Sequence, residues 1–209
     1  GKSTLLLQIS CALAQKIPVM YVTGEESAQQ VRLRAERLGI TGTGLFFLEE
    51  TDLEEILSHL DMVHPFLVVL DSVQTLFSED VQSVPGSVAQ VRECTRRLMQ
   101  WSKSHGVPVI LAGHVTKDGS VAGPRTLEHM VDVVLYLEGD SLSAYRILRG
   151  AKNRFGSTSE IGVFQMRAQG LEDVGDPSLL FLSSRQQGIP GSVVVATMEG
   201  TRPLLAEVQ

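Results

Sequence analysis

Short, almost wholly apolar runs separated by segments of helical spacing fill the first half of the chain, and they leave few folds open. Val19-Met20-Tyr21-Val22, Leu45-Phe46-Phe47-Leu48, Phe66-Leu67-Val68-Val69-Leu70 and the stretch 107–112 lack the alternation of a half-exposed strand. Runs of this kind read as parallel strands covered on both faces. Between them lie helical patterns. Leu5, Leu6, Ile9, Ala12 and Leu13 mark one helix, stopped by Ile17-Pro18, and Val31, Ala35 and Leu38 mark another, stopped by Gly39. Residues 53–62 form a third, and 88–105, with Val91, Leu98 and Trp101 on one side, a fourth. Strand and helix in alternation predict an α/β core with a mainly parallel sheet.

Residues 78–87 and the Gly-rich stretch 113–125 read as loops. The runs at 131–137, 144–151 and 161–166 follow one another without helices, which predicts an antiparallel C-terminal extension. After Gln186-Gln187-Gly188-Ile189-Pro190-Gly191 the pattern changes, and 193–196 and 203–208 read as the first strands of something new. The expected division is a domain over 1–184, then a linker and the start of a second domain over 185–209. A length of 209 residues accommodates one sizeable domain and a tail.

Gly1-Lys2-Ser3-Thr4 matches the end of a phosphate-binding loop, G-x-x-x-x-G-K-[ST]. There the lysine reaches the β and γ oxygens, the hydroxyl binds Mg²⁺, and the helix that follows points its positive end at the anion. The same residues also suit a plain helix cap. The expectation is nucleotide binding by Gly1, Lys2, Ser3 and Thr4, in a chain that starts inside its own loop.

Composition narrows the partners. The net charge of −6 argues against a broadly basic nucleic-acid surface, though not against contact through a few loops. No run approaches the ~18 apolar residues of a membrane span. Cys11 and Cys94 have no ligand spacing and read as reduced, buried thiols of a cytoplasmic protein. The acids Glu49, Glu50, Asp52, Glu54, Glu55 and Asp61 read as the solvated face of a helix. Arg146, Arg149, Lys152, Arg154 and Arg167 crowd a later region in which Glu160 is the one clear acidic partner.

Hydrolysis of a γ-phosphate needs a cradle, a metal, a base that positions water, and positive charge for the developing oxyanions. Asp71 ends the most hydrophobic strand, where a lone carboxylate is costly unless paired or beside a metal. It is the candidate for the Mg²⁺ shell with Ser3, or else a helix cap with Ser72. Glu25 and Glu26 follow the first strand. Glu25 is the expected catalytic base, against two first-turn acids complementing a helix dipole. His114, just past another strand, is the candidate sensor of the γ-phosphate. Lys117 and Arg125, in the loop behind it, are candidate contacts to DNA phosphates. Lys152 and Arg154, two cations on one face of a strand before a turn glycine, suggest a shared anion on a neighbouring subunit's nucleotide. A solvated hairpin is the plain alternative.

Several stretches together resemble one family. They are Tyr21-Val22-Thr23-Gly24-Glu25-Glu26-Ser27, Gly113-His114-Val115-Thr116-Lys117, Ala122-Gly123-Pro124-Arg125, Leu127-Glu128-His129-Met130-Val131-Asp132 and Lys152-Asn153-Arg154-Phe155-Gly156. They are similar to the RadA/Sms family of bacterial DNA repair ATPases, which are RecA-like P-loop proteins. The resemblance runs the length of the chain, and its tail resembles the start of that family's Lon-protease-like domain. It implies a DNA-dependent ATPase of recombinational repair, a homo-hexameric ring on single-stranded DNA that drives branch migration of branched DNA, and partnership with the RecA recombinase. It implies ATP and Mg²⁺ as ligands. It implies zinc only in an N-terminal four-cysteine finger that these residues do not contain. The Lys152/Arg154 pair also resembles that of DnaB-type replicative helicases, and the Glu25-Glu26 pair that of KaiC-like regulatory ATPases. Those are the alternative readings.

Overall fold

The structure, a computed structural model, describes residues 1–38, 44–114, 124–139, 144–175, 193–199 and 202–208. The chain divides into two compact units, Lys2–Val131 and Asp132–Gln209, with Gly1 grouped with the latter. The boundary expected at 184/185 lies outside the described residues.

The first unit is built on a four-stranded parallel sheet in the order β2 (Leu45–Glu49), β1 (Val19–Thr23), β3 (Leu67–Asp71), β4 (Val109–Leu111). Alternate residues of each strand feed opposite cores. Val19, Tyr21, Leu67 and Val69 pack with Leu7, Cys11 and Ala14 of α1 (Lys2–Ala14) and Val31 and Ala35 of α2 (Ala28–Arg37). Met20, Val22, Val68 and Leu70 pack with Leu53, Ile56 and Leu60 of α3 (Leu53–Val63) and Val91, Leu98 and Trp101 of α4 (Val88–His105). Cover on both faces is why β1 and β3 show unbroken apolar runs; the edge strand β2, expected to be covered likewise, leaves Phe46 43% exposed. Each fully buried Leu or Val contributes about 1.5–3 kcal/mol. Both cysteines are buried and free, and burial pushes the Cys94 thiol up to about 12.

Local chemistry sets the helix starts. Ser27 caps α2 in a reciprocal box with Gln30, Asp52 caps α3 through the Glu54 N–H, and Ser87 caps α4. The α4 helix ends on Gly106 at φ 67°. The buried face of α1 is Leu6, Leu7, Ser10, Cys11 and Ala14, one step round from the face expected, because this helix is apolar on most sides. Ser10 is fully buried and donates to the Leu6 carbonyl at 2.7 Å.

The acidic stretch does not form one helix face. Glu49 ends β2 and accepts from the Ala28 N–H, and Glu50 accepts from the N–H groups of Thr51 and Asp52, which hold its carboxyl below its usual value. Asp61 accepts from the Trp101 indole at 2.6 Å, and Glu54 pairs with Arg97. Glu49, Glu54 and Asp61 meet donors supplied by other elements, whereas Glu50 and Asp52 accept from backbone N–H groups one or two residues on.

The loop 78–87 is pinned by one side chain. Gln90 is buried. Its oxygen accepts from the Ser78 N–H at 2.9 Å, and its amide donates to the carbonyls of Ser78, Val81 and Ser83, each at 3.0 Å. Gln90→Leu keeps the volume but strands those backbone groups. The expected cost is about 2–3 kcal/mol, read as a lower urea midpoint at unchanged slope. A midpoint equal to wild type would remove this role from Gln90.

Of the loop expected over 113–125, residues 115–123 lie outside the described residues, and the last two open a helix, α5 (Pro124–Met130), with Pro124 at a first-turn position that suits it. The second unit holds an antiparallel sheet in the order β5 (Val133–Glu138), β6 (Tyr145–Asn153), β7 (Ile161–Arg167), β8 (Gly170–Asp173). The β8 strand was not expected. A separate hairpin pairs β9 (Val193–Glu199) with β10 (Arg202–Val208). The cations of this unit are better paired than their neighbours in sequence suggest. Arg149 meets Glu138 of β5 at 2.7 Å, Arg154 meets Asp132 just before β5 at 2.8 Å, and Arg167 meets Glu172 of β8 at 2.9 Å.

Candidate nucleotide site

The parallel register carries every strand of the first unit to one edge. Thr23 lies opposite both Glu49 and Asp71, and Leu70 lies opposite Leu111. Glu25, Asp71 and His114 therefore stand at or just beyond the carboxyl ends of adjacent strands, the side where α/β sheets bind ligands.

Lys2, Ser3 and Thr4 form the first turn of α1, directly after Gly1, and that turn has no acidic residue to compete with an anion for its free N–H groups. Lys2 Nζ donates to the Gly113 carbonyl at 2.5 Å. Burial pushes the lysine's pKa down, while the nearby Asp71 and Glu25 carboxylates work against that shift. Lys2, Asp71 and Glu25 are thus within electrostatic reach of one another.

Asp71 accepts a hydrogen bond at Oδ2 from the Tyr21 hydroxyl at 2.9 Å. Its Oδ1 accepts none from the described residues. An open carboxylate oxygen at a strand end is the donor type a hard divalent cation takes, directly or through water. Asp71 therefore offers an oxygen of the kind a Mg²⁺ shell takes, and Ser3 stands in the first turn of α1. Burial first, then the Asp71 charge, pushes the Tyr21 phenol far above its usual value, so it remains a neutral donor.

The two adjacent glutamates diverge. Glu26 is committed to Arg34 at 2.5 Å, and its backbone is held by Thr23 Oγ1. Glu25 Oε1 accepts from Ser72 Oγ at 2.6 Å and lies 3.7 Å from His114 Nε2. Both side chains stay about half exposed, which suits a group that must meet solvent. Gln74 links His114 to the β3 end by donating to its carbonyl at 3.3 Å. Gly24 makes the turn possible. A Cβ there would fall 2.1 Å from Thr75 Oγ1, so only glycine lets the β1 end pass this close.

Lys117 lies outside the described residues. Arg125 sits in the first turn of α5, and its side chain is outside them too. In the second unit Lys152 lies on β6 opposite Val134, but Arg154 lies one residue past the strand's end. The Arg154 N–H still donates to the Asp132 carbonyl at 3.1 Å, next to the last β5–β6 pair. Asn153 closes the turn, accepting from the Phe155 N–H at 3.0 Å and donating to the Ser157 carbonyl at 3.2 Å. Phe155 is left 81% exposed.

Sequence reading missed Tyr21, Ser72 and Gln74. For Tyr21 a signal existed, since a tyrosine inside a fully apolar run needs a partner for its hydroxyl.

The family model described as AAA domain matches residues 1–120. The DNA repair protein RadA of Bacillus subtilis is 55% identical over the whole chain, and those of Streptococcus pneumoniae and Pseudomonas aeruginosa are each 53% identical. The chain covers 46%, 50% and 46% of these three proteins, so it spans about half the length of the curated relatives it matches. Among solved structures, the RadB recombinase superposes with a TM-score of 0.60 at 21% identity, covering 83% of this chain and 86% of that one. A KaiC-like protein from Pyrococcus horikoshii gives 0.60 at 18% identity, covering 83% of this chain and 84% of that one. The fold is that of a RecA-like P-loop ATPase core. By the match over residues 1–120, the chain belongs to the AAA domain family, and over its full length it is similar to bacterial RadA proteins.

Proposed function

We propose that this chain is the motor of a DNA-dependent ATPase in recombinational repair. The observation that carries the reading is the placing of Asp71, Glu25 and His114 at the carboxyl ends of adjacent strands, with Lys2 bonded to the Gly113 carbonyl there and Glu26 withdrawn into an ion pair. Gly1, Lys2, Ser3 and Thr4 bind the phosphates. Ser3 and Asp71 hold Mg²⁺, which when bound neutralises charge on the phosphate oxygens. Glu25 accepts the proton of the attacking water, and Ser72 fixes the carboxylate that does so. His114, 3.7 Å from Glu25, senses whether a γ-phosphate is present and passes that state to the following loop. Lys117 and Arg125 of that region contact DNA phosphates. Lys152 and Arg154 act on the nucleotide of the adjacent copy.

The names of the relatives support repair as the setting. On this reading the assembly is a cytoplasmic homo-hexamer on single-stranded DNA that drives branch migration on branched DNA in partnership with RecA. The hairpin of β9 and β10 opens a Lon-protease-like domain. Among the described residues no helix is long and apolar enough to cross a membrane. The likeness to a KaiC-like protein favours one second reading, a regulatory ATPase ring without DNA. Steady-state ATP hydrolysis by the full-length protein separates them. Single-stranded DNA should stimulate turnover, and added salt should remove the stimulation as phosphate contacts are lost. Turnover indifferent to DNA at low salt favours the regulatory ring.

A further inference from the structure

We infer that Tyr21 is a positioning residue for the metal site, holding Asp71 through Oδ2 so that Oδ1 is left to the Mg²⁺ shell. The inference rests on the ATPase reading above. Tyr21 sits in the middle of β1 and is 1% exposed, in the core formed with α1 and α2. Its ring meets Phe47 edge-on, with centroids 6.1 Å apart. Phenylalanine would fill the same space, so packing does not call for the hydroxyl. Burying that hydroxyl costs free energy unless it is bonded, and the acceptor it finds is Asp71.

The register explains why a tyrosine stands here. Tyr21 lies opposite Val69 and Thr23 lies opposite Asp71, so Tyr21 reaches Asp71 on the diagonal across the strand pair. Diagonal neighbours are ~7–8 Å apart, within reach of a long aromatic side chain and beyond that of a serine or threonine. Both ends of the bond sit on strands buried on both faces, so it fixes the rotation of the carboxylate. Hydrogen bonds of this kind to a ligating group set its orientation, and their loss typically weakens metal binding 10–100-fold. A tyrosine that merely satisfies its own hydroxyl would leave metal affinity alone.

The test is Tyr21→Phe in the full-length protein, with Mn²⁺ as the probe. Mn²⁺ affinity is measured by electron paramagnetic resonance in the presence of a non-hydrolysable ATP analogue. The expected result is about 10–100-fold weaker Mn²⁺ binding, with nucleotide affinity in the absence of divalent metal unchanged. In an Asp71→Ala background the Tyr21→Phe change should add nothing further, because the side chain that Tyr21 holds is gone. Mn²⁺ affinity equal to wild type, or a full additional loss in the Asp71→Ala background, overturns the inference while leaving the ATPase reading standing. A wild-type protein that binds no Mn²⁺ with nucleotide overturns both.

Discussion

Glu25→Gln in the full-length protein should bind Mg·ATP as the wild type does and hydrolyse it about 10²- to 10⁴-fold more slowly. The amide oxygen still accepts the Ser72 hydroxyl bond that holds Glu25 Oε1 at 2.6 Å, so the local structure is kept. The amide cannot take the proton of the attacking water, so the loss falls on chemistry. Glu26→Gln is the matched control. It breaks an ion pair to Arg34 whose two side chains are 34% and 35% exposed, and such pairs are worth up to ~1 kcal/mol. Its turnover should stay near wild type. Single-turnover hydrolysis alongside a fluorescent-nucleotide titration separates the two effects. A dead Glu26→Gln and an active Glu25→Gln would reverse the assignment.

What the sequence showed of the fold follows from how strongly each element announces itself. The central parallel strands β1 and β3 were legible because two-sided burial writes unbroken apolar runs, and α2 and α4 because one face of each is polar. The buried side of α1 was not legible, since a helix apolar on most sides has no period to read. Helix α5 and strand β8 were missed for lack of length, at 7 and 4 residues. The grouping of Glu49 to Asp61 on one helix failed because nearness in sequence hid their separate partners. Those donors, such as Arg97 and the Trp101 indole, lie far along the chain.

The site was legible as a set of strand-end residues and illegible as a network. Asp71, Glu25 and His114 stand out because polar groups directly after apolar runs need a reason. Their connections depend on strand order, which no local pattern states. The bond from Tyr21 to Asp71 exists because β1 pairs with β3 in a register that sets Thr23 opposite Asp71. The contact of Ser72 with Glu25 requires the same adjacency. The divergence of the two glutamates was hidden for another reason. It turns on Arg34, in the last turn of a helix whose surface cations all look alike in sequence.

Arg154→Ala should bind ATP normally and lose about 10³-fold or more in turnover, the value of an arginine finger supplied in trans. Lys152→Ala should resemble it. Arg154 is here engaged with Asp132 at 2.8 Å, but the two side chains are 53% and 42% exposed. An exposed pair of this kind is worth roughly 0.2–1 kcal/mol, whereas a 10³-fold effect corresponds to about 4 kcal/mol at the transition state. Asp132 is therefore too weak a partner to keep the guanidinium from a neighbouring copy's phosphates, and Asp132→Asn should hydrolyse ATP near the wild-type rate. Mixing subunits tests the assignment in trans. Arg154→Ala and Lys2→Ala proteins, each inactive alone, are combined. At some interfaces of a mixed ring an intact phosphate loop meets an intact Arg154, so partial hydrolysis should return, provided turnover does not require every site. Recovery puts the arginine on the adjacent subunit's nucleotide. Normal hydrolysis by Arg154→Ala alone removes the finger, and loss of DNA binding by that variant would make Arg154 a phosphate contact to DNA.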